Sequence, residues 1–136
     1  MNDNTDLREI DKSNMYDILK DFPNQIRKAI QIGESARLSD IDISGTENII
    51  ICGMGGSAIG GDLLRSYTFY VSKIPIFINR NYTLPAYVGK NSLVIISSYS
   101  GGTEETLSAY DEALKRGCRI LCVSSGGEVE RKAKSN

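Results

Sequence analysis

The sequence contains no histidine and no tryptophan. Without histidine the chain lacks the commonest general acid/base at neutral pH and the commonest transition-metal ligand. No metal centre and no cofactor are therefore expected. Cysteine is scarce and odd in number. Cys52, Cys118 and Cys122 each stand beside aliphatic residues, which reads as buried free thiols in a reducing cytoplasm, not as a disulfide framework. Neither sign of charge dominates, with 16 Lys and Arg against 17 Asp and Glu. That balance gives no reason to expect nucleic acid or an anionic membrane as partner. No apolar run approaches the roughly 20 residues of a membrane helix. The opening MNDNTDLREIDK is polar and partly acidic, unlike a secretory signal.

What is present suits one globular domain. The chain has 136 residues, 40% of them hydrophobic and 24% charged, enough for a single core but not two. Residues 1–11 read as a polar tail and 12–136 as the domain. Ser13 is placed to cap a short helix, NMYDILKDF, which Pro23 interrupts or restarts. Ile26, Ala29, Ile30 and Gly33 then recur at helical spacing, as in a packing or docking helix.

Beyond Ser44-Gly45 the pattern changes. NIIIC (48–52), IPIFIN (74–79), LVIISS (93–98) and RILCVSS (119–125) read as strands. AIGGDLLRSYTFY, EETLSAYDEALKRG and the segment after GG (126–127) read as helices, and 81–91 as a loop. Lys115, Arg116 and Gly117 match the preferences of a helix C-terminus. The strands are aliphatic throughout and do not alternate, so both faces should be buried. Helices between them predict an α/β, doubly wound, three-layer sandwich around a mostly parallel sheet. Ligands of such folds sit beyond the carboxyl ends of the strands, where the strand order reverses.

Two glycine-rich loops fall at that edge. Gly53-Met54-Gly55-Gly56-Ser57-Ala58 follows a strand and opens a helix, so its amides suit an anion. Its spacing also satisfies G-x-G-x-x-A, a permissive dinucleotide fingerprint. The next strand ends Asn79-Arg80, however, without the carboxylate that holds a ribose, although Arg80 could meet a 2′-phosphate. In the second loop, Ser97, Ser98, Ser100 and Thr103 supply hydroxyls, while Gly101 and Gly102 expose amides. Such a nest suits a compact phosphate monoester. The plainer alternative is that Ser100 or Thr103 only caps the helix, with Glu104 and Glu105 complementing its dipole.

GMGGSAIGGDLL (53–64), SYSGGTEET (98–106) and DFPNQI (21–26) resemble the N-terminal sugar isomerase (SIS) domain of bifunctional phosphoglucose/phosphomannose isomerases. The likeness runs from about Lys12 to the chain end. It implies that Gly55, Gly56 and Ser57, with Ser98, Ser100 and Thr103, hold a hexose 6-phosphate. The backbone of Gly101 and Gly102 joins that set through the loop. One departure is visible, since the family usually has asparagine where Gly102 stands.

The family is longer, with two SIS domains, and its catalytic arginine, glutamate and histidine lie in segments absent here. The resemblance thus implies a truncated SIS domain lacking its last strand. It implies no catalytic residue in this chain, and a partner that is a second copy or a second SIS domain. Isomerisation of glucose 6-phosphate or mannose 6-phosphate to fructose 6-phosphate is the activity implied. A non-catalytic phosphosugar sensor and a dinucleotide-binding module remain as alternatives.

Overall fold

The computed structural model describes residues 10–36 and 42–135. Contacts divide the chain into two compact units, Met1–Asp42 and Ile43–Asn136.

In the first unit, α1 (Met15–Lys20) and α2 (Phe22–Ser35) follow each other closely. The cap of α1 is not Ser13. The Asp11 carboxylate accepts the Met15 and Tyr16 amides at 2.8 and 2.7 Å. An acidic side chain with two oxygens satisfies two free amides at a positive helix end, where a single hydroxyl would satisfy one. Pro23 stands in the first turn of α2, where its missing N–H costs nothing. None of the residues of α1 or α2 is buried.

The second unit contains β1 (Asn48–Cys52), α3 (Gly55–Thr68), β2 (Ile76–Asn79), β3 (Ser92–Ser98), α4 (Glu104–Lys115), β4 (Arg119–Ser124) and α5 (Gly127–Ser135). The four strands are parallel, in the order β2-β1-β3-β4. Two boundaries differ from the sequence reading. β2 begins two residues late because the Ser72 hydroxyl binds both the carbonyl (2.8 Å) and the amide (3.3 Å) of Ile74, and Pro75 has no N–H to donate. α3 begins at Gly55, so Gly55, Gly56 and Ser57 form its first turn and are not a separate loop.

The two faces of the sheet are covered differently. Ile50, Cys52, Val94 and Ile96 point to one face. They share a core with Ala109, Tyr110 and Ala113 of α4, Val129 of α5, and Leu84 and Val88 of the connection 80–91. Side chains of the intervening positions point the other way. There α3 lies close at Gly61, where a Cβ would come within 2.9 Å of Ile78 and 3.0 Å of Ile51. Absence of a side chain is what lets helix and sheet approach.

The crossover from β2 to β3 is a loop held by one helix. Arg116 donates to the carbonyls of Leu84 (3.3 Å), Pro85 (2.7 Å) and Val88 (3.1 Å), and to Glu112 (2.6 Å). Glu112 in turn accepts the Leu84 amide at 2.6 Å. That amide, aided by Arg116 against the opposing effect of burial, holds the Glu112 carboxyl below the usual carboxylate range. Of the three thiols, Cys52 is buried and pushed up to about 12 by burial. Cys118 and Cys122 are half-buried, less enclosed than expected, and burial raises them too.

Candidate functional site

The strands β1 and β3 are neighbours at the centre of the sheet, with β2 beyond one and β4 beyond the other. The strand order therefore reverses between β1 and β3. The two glycine-rich segments emerge side by side at their carboxyl ends, where α/β folds place their ligands.

The first segment turns tightly. Gly53 donates to the Asn79 carbonyl at 3.2 Å, and the Met54 carbonyl accepts Ser57 N–H at 3.0 Å. Met54 is the extended residue before α3, and no side chain caps that helix. The second segment is laced by its own hydroxyls. Ser98 Oγ shares a hydrogen bond with Thr103 Oγ1 at 3.1 Å and accepts Gly101 N–H at 3.1 Å. Ser100 Oγ accepts Gly102 N–H at 3.3 Å. Thr103 occupies the cap position of α4 but makes no side-chain cap bond. Neither hydroxyl therefore serves as an ordinary helix cap.

Ser57 joins the two segments, its Oγ accepting Tyr99 N–H at 3.4 Å. Between them opens a cleft of about 530 Å³ lined by Met54, Gly56, Ser57, Tyr99, Ser100 and Thr103. That volume lies within the usual range for small-ligand sites. Of the candidate residues, Gly56, Ser57, Ser100 and Thr103 line the cleft. Gly55, in the first turn of α3, and Gly102, in the second segment, are exposed, while Ser98 and Gly101 are buried within the second segment. Met54 and Tyr99 were not singled out in the sequence. Their flanking position inside the two motifs is the signal that marks them.

The electrostatics are those of dipoles, without a formal positive charge. The N-termini of α3 and α4 both lie at the cleft, offering partial positive charge. No lining residue is a lysine or arginine. Glu104 and Glu105 open α4, and the Tyr82 hydroxyl donates to Glu104 at 3.3 Å. Glu105 above all, then burial and Glu104, raise the Tyr82 phenol above its ordinary value.

The features a dinucleotide would use are otherwise engaged. Asn79 is buried and donates to the Asn81 carbonyl at 3.0 Å. Arg80 pairs with Asp62, which also meets Arg65 at 3.4 Å. Among the described residues, no group of His, Cys, Asp and Glu is placed to hold a metal ion. No described helix is long and apolar enough to cross a membrane.

The chain matches no family model. It is 43% identical over 122 residues to the bifunctional phosphoglucose/phosphomannose isomerase of Caldicellulosiruptor bescii, covering 90% of this chain and 36% of that protein. The Aquifex aeolicus protein of the same name is 43% identical over 94 residues, covering 68% of this chain and 29% of its own. A crystal structure from Clostridium difficile 630, provisionally named a phosphosugar isomerase, superposes with a TM-score of 0.67 at 21% identity. It covers 82% of this chain and 32% of that one. The chain thus spans about a third of the length of the curated relatives it matches. Across that span it is a homologue of the bifunctional phosphoglucose/phosphomannose isomerases.

Proposed function

We propose that residues 12–136 are the phosphosugar-binding SIS domain of an isomerase that interconverts glucose 6-phosphate or mannose 6-phosphate with fructose 6-phosphate. The observation that carries this reading is the convergence of two hydroxyl- and glycine-rich segments on one cleft at the switch point. A phosphate monoester presents three acceptor oxygens at once. Ser57, Ser100 and Thr103 supply hydroxyl donors around that cleft, Gly55, Gly56 and Gly102 keep the backbone open beside it, and Gly101 shapes the second segment from within. Ser98 holds Thr103 and Gly101 in place from below.

Binding, not proton transfer, is the role we assign to these residues. Aldose–ketose isomerisation moves a proton between C1 and C2 and needs a base of suitable pKa across the sugar. Glu104 and Glu105 stand in the first turn of α4, on the phosphate side of the cleft and not across the sugar, where they complement the helix dipole. The free thiols fit a cytoplasmic setting. Leu63, Tyr67 and Tyr70, exposed on or just after α3, support association with a second copy or a second SIS domain.

Calorimetric titration tests the reading. Fructose 6-phosphate should bind and NADH should not. A clear NADH isotherm without a sugar-phosphate signal would overturn it.

A further inference from the structure

A third segment lies against the second loop. The pairing of β3 with β4 sets Ser98 opposite Ser124, so Ser124-Ser125-Gly126-Gly127 leaves the sheet beside Ser98-Tyr99-Ser100-Gly101. Both stretches run from hydroxyl residues into a double glycine, Gly101-Gly102 and Gly126-Gly127, at or near a helix start. Their packing is backbone against backbone. The Ser125 amide donates to the Tyr99 carbonyl at 3.3 Å, and the Ser125 hydroxyl donates to that same carbonyl. The Val129 amide, in the first turn of α5, donates to the Gly101 carbonyl at 2.9 Å.

Steric room is absent on both sides. Gly101 and Gly127 both have φ in the left-handed region, at +67° and +75°. A Cβ on Gly101 would overlap the Gly126 carbonyl. A Cβ on Gly127 would overlap the Ser100 carbonyl and come within 3.0 Å of the Gly101 Cα. Gly126 differs. Its φ is +150°, yet a Cβ there would meet nothing nearer than Glu130 Oε2 at 3.6 Å.

None of Ser124, Ser125, Gly126 and Gly127 lines the cleft. They touch the segment that does. Tyr99 and Ser100 are cleft residues, and their carbonyls are the groups that Ser125 binds and Gly127 crowds. We propose that the turn joining β4 to α5 is a positioning brace, in which Ser125 and Gly127 fix Tyr99 and Ser100 so that the Ser100 and Thr103 hydroxyls converge on the ligand's phosphate. This deepens the phosphosugar reading of the cleft and rests on it. The brace itself is readable without ligand.

The experiment therefore has two arms on the full chain. Amide resonances of Tyr99 to Thr103 are followed by nitrogen-edited NMR without ligand. Affinity for fructose 6-phosphate is measured by calorimetry. Ser125→Ala should shift the Tyr99 and Ser100 amides, leave those of Gly55 to Ser57 in place, and weaken binding about tenfold, the size of one good hydrogen bond. Gly127→Ala should weaken it further. Gly126→Ala, strained at its φ of +150° but with room for its methyl, should lose stability and keep wild-type affinity.

Folded Ser125→Ala and Gly127→Ala chains with wild-type affinity and unmoved Tyr99 and Ser100 amides would overturn the proposal. If Gly127→Ala does not fold, Ser125→Ala decides alone. Shifted amides in a chain whose wild type ignores fructose 6-phosphate would overturn the functional reading and leave the brace standing.

Discussion

The two glycine-rich segments look alike on paper and are built on different physics. In the first, one glycine gives way to its neighbours. Gly53 is buried so close to β3 that a Cβ would sit 2.9 Å from the Ser97 carbonyl and 3.3 Å from the Ala58 amide. Its hydrogen bonds are those of the backbone, apart from Ser57. In the second, side-chain hydroxyls replace the missing secondary structure, with Ser98, Ser100 and Thr103 closing the loop on itself. The first segment should thus be intolerant of added volume at Gly53, and the second both of added volume at Gly101 and of lost hydroxyls.

The largest effect should come from the second segment. Changing Ser100 and Thr103 together to alanine removes two hydroxyl donors, each worth about 1.5–3 kcal/mol to a charged acceptor. Affinity for fructose 6-phosphate should fall at least tenfold while the chain stays folded, as read by calorimetry and circular dichroism. Unchanged affinity with a lower melting temperature would erase the distinction, making these hydroxyls purely structural. Next comes Gly53→Ala. The three atoms that a Cβ would crowd are all backbone, which cannot swing aside, so a loss of about 1–3 kcal/mol in urea unfolding is expected. Gly56→Ala is the matching control. Nothing lies within 4 Å of a Cβ there, so stability should hold and only binding should suffer. Equal stability losses at both positions would break the comparison.

How much of this the sequence disclosed depends on the range of the forces involved. The continuous aliphatic runs of β1 and β3 were legible because central parallel strands are buried on both faces, and that demand acts residue by residue. The convergence of the two segments was also legible, since both follow strands and open helices. The Asp11 cap was not, because a carboxylate reaching four and five residues along the chain competes with the nearer Ser13 in any local reading. The exclusion of Pro75 from β2 was missed for a similar reason, the Ser72 turn being a side-chain matter. The brace was hidden for a different reason. Ser124 to Gly127 resemble the second loop in running from serines into a double glycine, yet only the β3–β4 register, pairing Ser98 with Ser124, brings the two stretches together. That register is tertiary information.

A smaller effect concerns the connection 80–91, which contributes no residue to the cleft lining. Glu112 is held below its ordinary value of 4.5 by the Leu84 amide and by Arg116. A depressed folded value means that its contribution is fully present above about pH 4.5 and is lost as pH falls through the lower folded value. Glu112→Gln should therefore be less stable than wild type near neutrality, with the gap closing as the pH drops below 4.5. Urea unfolding across that range checks the sign. Affinity for fructose 6-phosphate should not change, which separates this support from the two segments that form the cleft. A gap that widens in acid would assign Glu112 the wrong environment.

The smallest effect, and the one that bears on both segments at once, is that of salt. A phosphate site built on arginine or lysine loses affinity steeply as ions screen the formal charges. Here the lining residues are Met54, Gly56, Ser57, Tyr99, Ser100 and Thr103, none of them cationic. Attraction then rests on hydrogen bonds, which act at contact and are hardly screened, and on two helix N-termini worth about 0.3–1 kcal/mol each. Salt weakens the helix contribution but also screens Glu104 and Glu105, which repel the same phosphate from the first turn of α4. The two changes oppose each other. Raising chloride from about 50 to about 500 mM should therefore alter the affinity for fructose 6-phosphate by no more than about twofold. A tenfold loss over that range would require a cation at the phosphate, and would overturn the account of both segments as neutral donors.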